Sequence, residues 1–140
     1  MSRRTRRWRR RREGQALVEL ALVVPVLLLL IVGLAEFARA WNTKQVLTDA
    51  AREALRNSVV SNPSFTYAAL EDVIDQSLLR ASLEPERAQV TVDGWKAGTG
   101  TPARIQVDYS YDLGFFGSLA GWATGDRTVL LSSSFVMRNE

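Results

Sequence analysis

Residues 16–35 read ALVELALVVPVLLLLIVGLA, a helix-length apolar stretch whose only charge is Glu19. At the helical rise of about 1.5 Å per residue it covers ~30 Å, the thickness of a bilayer's hydrocarbon. Upstream stands a block of eight arginines between Arg3 and Arg12, followed by Glu13, Gly14 and Gln15. Eight arginines against Glu13 give residues 1–14 a net charge of +7, whereas the whole chain carries only +3, so residues 15–140 are mildly acidic at −4. The basic pI therefore describes a tail and not the body. Positive charge beside a span stays on the inner side. This predicts a single-pass protein of the inner (cytoplasmic) membrane, with its N-terminus in the cytoplasm and its C-terminal domain outside it.

Three readings of that junction compete. In the first it is a cleavable secretory signal, with Ala38-Arg39-Ala40 as a small-x-small cutting site; the apolar core is long for that, and Glu36 and Arg39 crowd the cut. In the second it is an uncleaved signal anchor, which leaves Glu19 without a purpose. A carboxylate costs up to ~3 kcal/mol at mid-bilayer and less near the interface, where Glu19 lies and where it can snorkel to the headgroups. The third reading gives Glu19 a role. A cut after Gly14 makes Gln15 the new N-terminus and Glu19 its fifth residue, so a positive amine and a carboxylate stand about one helical turn apart at the membrane edge. In an assembly, the amine of one subunit would neutralise the carboxylate of the next.

A basic leader ending in Gly14, the Ala-Leu-Val-Glu run of 16–19, Pro25, Glu-Phe-Ala-Arg-Ala at 36–40 and Ala-Ala-Arg-Glu at 50–53 together resemble the TadE-like family. These are minor pilins or pseudopilins of the tight-adherence (Flp) pilus, within the type IV pilin superfamily. The resemblance covers residues 10–60 and is weaker beyond, although Ser-Ser-Ser-Phe-Val-Met-Arg-Asn-Glu at 132–140 is similar to the family's closing strand. Ala54 stands where the family pattern has glycine, and Gln15 where many type IV pilins carry an aromatic residue. The resemblance implies a prepilin peptidase cutting between Gly14 and Gln15, Glu19 as the residue read in processing and assembly, and a pilin-like domain.

After Ala35 the apolar positions thin into a stripe at Phe37, Ala40, Trp41, Val46 or Leu47, Ala50, Ala51, Ala54, Leu55 and Val59, with charged residues between. One helix of about 40 residues is therefore predicted, running out of the bilayer and along a small domain. The stripe reads as packing against the chain's own sheet, while Ala50-Ala51-x-x-Ala54 is also small enough for close approach by a neighbouring helix. Pro25 removes one backbone donor in mid-span, so a helix bend is expected there. Glu36 and Arg39 form an opposite-charge pair at one-turn spacing, worth a few tenths of a kcal/mol.

The body, residues 61–140, is large enough for one core. Ser61-Asn62-Pro63-Ser64 breaks the long helix. A second helix is predicted over residues 65–83, with Tyr67, Leu70, Val73 or Ile74, Leu78 and Ala81 inward and Pro85 ending it. Strict alternation then predicts strands over 89–93 and 104–112, and a third strand is predicted over 127–138 with Val129, Leu131, Phe135 and Met137 toward the core. Gln106, Asp108, Ser110 and Asp112 form the wet face of the middle strand. The fold class is α+β: a long N-terminal transmembrane helix, then a second helix packed on an antiparallel sheet of at least three strands. The chain divides into a leader, 1–14, a transmembrane and extended helix, 15–60, and an extracytoplasmic domain, 61–140.

Residues 113–122, Leu-Gly-Phe-Phe-Gly-Ser-Leu-Ala-Gly-Trp, read as a loop that is unusually apolar. Phe115, Phe116 and Trp122 make it either a contact surface for headgroups or a partner subunit, or a lid over a small core without disulfides.

With no histidine and no cysteine, the usual neutral-pH base, the thiol nucleophile and the commonest zinc ligands are missing. Asp108 and Asp112 share a strand face but stand ~13 Å apart along an extended chain, too far to share a proton or a metal. No phosphate-binding glycine loop occurs. No catalytic, cofactor or metal residue is assigned, and no cofactor is expected. The arginine block is explained by its place before a span, where each basic residue near anionic lipid adds about 1 kcal/mol, without nucleic acid. The expected function is that of a minor pilin or pseudopilin whose partners are the bilayer, a prepilin peptidase, other pilin subunits and the pilus assembly machinery. The alternative is an uncleaved membrane-anchored binding module.

Overall fold

A computed structural model describes residues 3–59 and 64–139, with 3–13, 119, 120, 123 and 124 as backbone only. The first helix, α1, spans Arg3–Val59 and runs through Pro25 without interruption. It is longer than the predicted helix because it begins within the arginine block; arginine is a good helix former, and Gly14 alone does not stop propagation. The predicted break at Ser61, Asn62 and Pro63 lies outside the described residues.

The second helix, α2, spans Tyr67–Arg80, shorter at both ends than predicted. Thr66 caps it by accepting the Ala69 N–H at 3.2 Å. It closes well before Pro85. Ser82 takes a left-handed φ of 58°, the Ser82 N–H donates to Leu79 O at 2.9 Å, and the Leu83 N–H donates to Leu78 O at 2.9 Å. This paired return satisfies the last carbonyls of the helix.

The sheet is antiparallel with order β1-β2-β3, made of Ala88–Asp93, Pro102–Asp112 and Thr128–Arg138. Val90 lies opposite Val107, and Val107 opposite Ser133, so one face of all three strands turns to the helices. The α+β class and the three-stranded antiparallel sheet agree with the periodicities that predicted them.

The core joins the far half of α1, α2 and the inner face of β2: Leu47, Leu55, Leu70, Ile74, Leu78, Ile105 and Val107 are all fully buried. Ala50, Ala51 and Ala54 are buried too, so the alanine-rich turn serves this chain's own core. Thr48 and Ser133 hydroxyls meet at 2.7 Å where α1 crosses β3. Tyr67 departs from the predicted inner face. It is exposed, and its hydroxyl donates to Val90 O at 3.2 Å. Val129 is likewise exposed, near the start of β3.

At the end of β3, Asn139 fastens the turn between β1 and β2. Its side-chain amide donates to Gly94 O at 2.8 Å, Thr101 O at 3.2 Å and Thr101 Oγ1 at 3.0 Å. Asn139→Ala is expected to cost about 1–2 kcal/mol, since those acceptors lose their donor in a site with little water. A thermal melt of the purified protein should fall by about 4–8 °C for each kcal/mol lost in a domain this small.

Candidate functional site

Every described side chain from Ala16 to Ile31 is exposed, on all sides of α1. A helix apolar all round is covered by lipid or by neighbouring helices, because nothing else offsets so much bare hydrocarbon. The stretch is long and apolar enough to cross a membrane. Gly14, Gln15, Glu19 and Pro25 lie along this bare half. A Cβ placed on Gly14 would meet nothing within 4 Å. Glu19 forms no ion pair among the described residues.

The structure corrects the reading of residues 113–122 as a loop. Phe115–Thr124 form a third helix, α3, inserted between β2 and β3. Three glycines in and before it disguise it, since each glycine inside a helix costs about 1 kcal/mol relative to alanine. They are there for close packing. A Cβ on Gly117 would stand 2.9 Å from Arg127 O, and one on Gly121 would stand 2.8 Å from the Arg127 side chain. The Leu113 N–H donates to Arg127 O at 3.1 Å, pinning both ends of the insertion together. Gly125, with φ 84°, closes the helix.

Phe116 and the Phe115 N–H bring α3 against α1 where the apolar stretch ends. The Phe116 ring lies 3.6 Å from the point a Cβ on Gly33 would occupy. Glu36 Oε1 accepts the Phe115 N–H at 3.0 Å, so a carboxylate from α1 caps the positive end of α3. Glu36 is only 3 % exposed, with Arg39 at 3.6 Å from Oε1, and its Oε2 has no hydrogen-bond partner among the described residues. The pair with Arg39 is thus the lesser part of what Glu36 does. Its main partner is 79 residues away and carries no local signal. Nearby, burial pushes the Tyr111 phenol above its ordinary pKa, and the Glu36 carboxylate adds to the push while Arg39 opposes it.

Phe115 and Trp122, seven residues apart, share one face of α3 and are 52 % and 88 % exposed. Phe116 turns inward to α1, so the three aromatic residues do not act together as a single lid. Phe37 and Trp41, expected in the buried stripe, are exposed and stack on each other with centroids 6.1 Å apart.

The two aspartates of β2 are engaged separately. Asp108 Oδ2 accepts from Gln106 Nε2 at 2.9 Å, and Asp108 is half-buried on a face expected to be wet; Asp112 stands 3.9 Å from Arg87.

No curated protein and no solved structure matches the chain. A family model described as TadE-like protein matches residues 14–56, beginning at Gly14 and taking in Glu19, Pro25, Glu36 and the alanine-rich turn. That is the family the leader and helix motifs resemble, and over residues 14–56 the chain is similar to TadE-like proteins.

Proposed function

We propose that the chain is a minor pilin or pseudopilin of a tight-adherence pilus, inserted with its arginines inside, cut between Gly14 and Gln15 by a prepilin peptidase, and assembled through α1. The family match that starts at Gly14 carries this reading, because it joins a pilus-associated structural family to the residue at which the leader would end. The bare half of α1 supports it. The domain packs only on the far half, leaving residues 16–31 free to exchange lipid for neighbouring helices. Each Leu, Val or Ile covered in that exchange has about 1.5–3 kcal/mol at stake relative to water, so the segment stays in lipid or in a packed bundle throughout. In the bundle, the Gln15 amine of one subunit neutralises Glu19 of another.

The test is the mass of the protein extracted from membranes of a cell that expresses the peptidase. A mature chain beginning at Gln15 is expected. A chain that keeps its arginines is instead an uncleaved anchored module.

A further inference from the structure

We propose that α3 is a membrane-docking helix, seating Phe115 and Trp122 in the headgroup layer of the bilayer that α1 spans and so fixing the height and tilt of the domain. This rests on the reading of α1 as a membrane span and goes beyond pilus assembly.

Depth carries the inference. The apolar stretch ends at Ala35, and α3 is tied to α1 at Gly33 and Glu36, within about 3 Å of that end along the axis. A helix is about 10 Å across, and the headgroup layer adds roughly 5–7 Å on each side of the hydrocarbon. The start of α3 therefore lies at the boundary between acyl chains and headgroups whenever α1 is inserted.

Chemistry agrees with that depth. From Phe115 to Thr124 the helix has no charged residue. Its glycine face, Gly117 and Gly121, is occupied by Arg127. Phe115 and Trp122 lie on the opposite side, Phe115 about half exposed beside Phe116 and Trp122 almost wholly exposed, and Phe37 and Trp41 are exposed just past the end of the apolar stretch. Tryptophan and other amphipathic rings settle at membrane interfaces, where one edge is apolar and the other wet. A docking helix usually has its own charged face. Here that face is replaced by packing onto the domain.

The chain has no cysteine, so single labels are unambiguous. Full-length Trp122→Cys, Phe115→Cys, Leu27→Cys and Thr91→Cys would each carry an environment-sensitive fluorophore in vesicles of phosphatidylethanolamine and phosphatidylglycerol. Lipid nitroxides placed shallow or deep would act as quenchers. Labels at 122 and 115 are expected to emit to the blue and lose most of their emission to the shallow nitroxide. The label at 27 should answer to the deep nitroxide, and that at 91 to neither. Quenching at 27 without quenching at 122 and 115 overturns docking and leaves the span intact. No quenching at 27 overturns the span itself, and docking with it. Protection at 122 that appears only as protein is crowded into the vesicles, without lipid quenching, means a neighbouring subunit covers this face and also overturns the proposal. Trp122 is 88 % exposed, so its replacement removes little packing.

Discussion

Glu36→Ala is expected to release α3 from α1 while leaving the rest of the domain folded. The carboxylate supplies the acceptor for the Phe115 N–H and a negative charge at the helix start. A hydrogen bond to a charged group contributes about 1.5–3 kcal/mol, so amide exchange in the first turn of α3 should quicken on the order of ten- to a hundredfold. Global stability should change less. Glu36 Oε2 is buried without a hydrogen-bond partner among the described residues, and removing that carboxylate relieves a desolvation cost of the opposite sign. Glu36→Gln separates the two effects, since it keeps an acceptor oxygen without the charge and should hold α3 more firmly than alanine does. Tyr111 supplies a second readout. Its folded pKa is raised, so the stability linked to the neutral phenol is fully present below the unfolded value of about 10 and is lost as pH rises through the folded one. Without Glu36 one of the causes of that rise is gone, and the Tyr111 titration should move down in both variants. Unchanged α3 exchange in Glu36→Ala would show that Phe116 and Arg127 hold the helix unaided.

What the sequence discloses about this chain follows from how local each signal is. Alternation along β2 is a property of adjacent residues, and Ile105, Val107 and Tyr109 are buried as their spacing requires. The same holds for Leu70, Ile74 and Leu78 on α2. Phe37 and Trp41 fit the helical stripe equally well and yet are exposed, because the period identifies a face of α1 but not how far the sheet reaches along it. α3 is harder to read. Its glycines look like turn residues until Arg127 is brought against them, and its cap comes from Glu36, whose spacing to Arg39 suggests an ordinary surface pair. Gly14 and Glu19 differ again. Both lie on a helix that touches nothing of its own domain there, so packing gives no reading of them and only the motif, within the matched residues 14–56, does.

On the proposed pilin reading, Glu19→Ala is expected to abolish or nearly abolish incorporation into the pilus while sparing insertion and leader removal. Insertion depends on the apolar stretch and the arginines, and alanine at position 19 makes that stretch more apolar. Assembly differs because a packed bundle removes both lipid headgroups and water from the helix surface. If the Gln15 amine of a neighbour is held there, deleting its carboxylate leaves an uncompensated charge, a loss of about 3–5 kcal/mol in a buried setting. That corresponds to an equilibrium shift of more than a hundredfold, which quantitative blotting of sheared pili would register as near-absence beside normal levels of cut protein in the membrane. Glu19→Asp keeps the charge on a shorter stem and should restore part of the assembly. Normal pili from Glu19→Ala would leave Glu19 as a carboxylate that only reaches the headgroups, and the amine would need another partner. Equal loss of the mature form in the membrane would instead place Glu19 in recognition by the peptidase, a step before any subunit meets its neighbour.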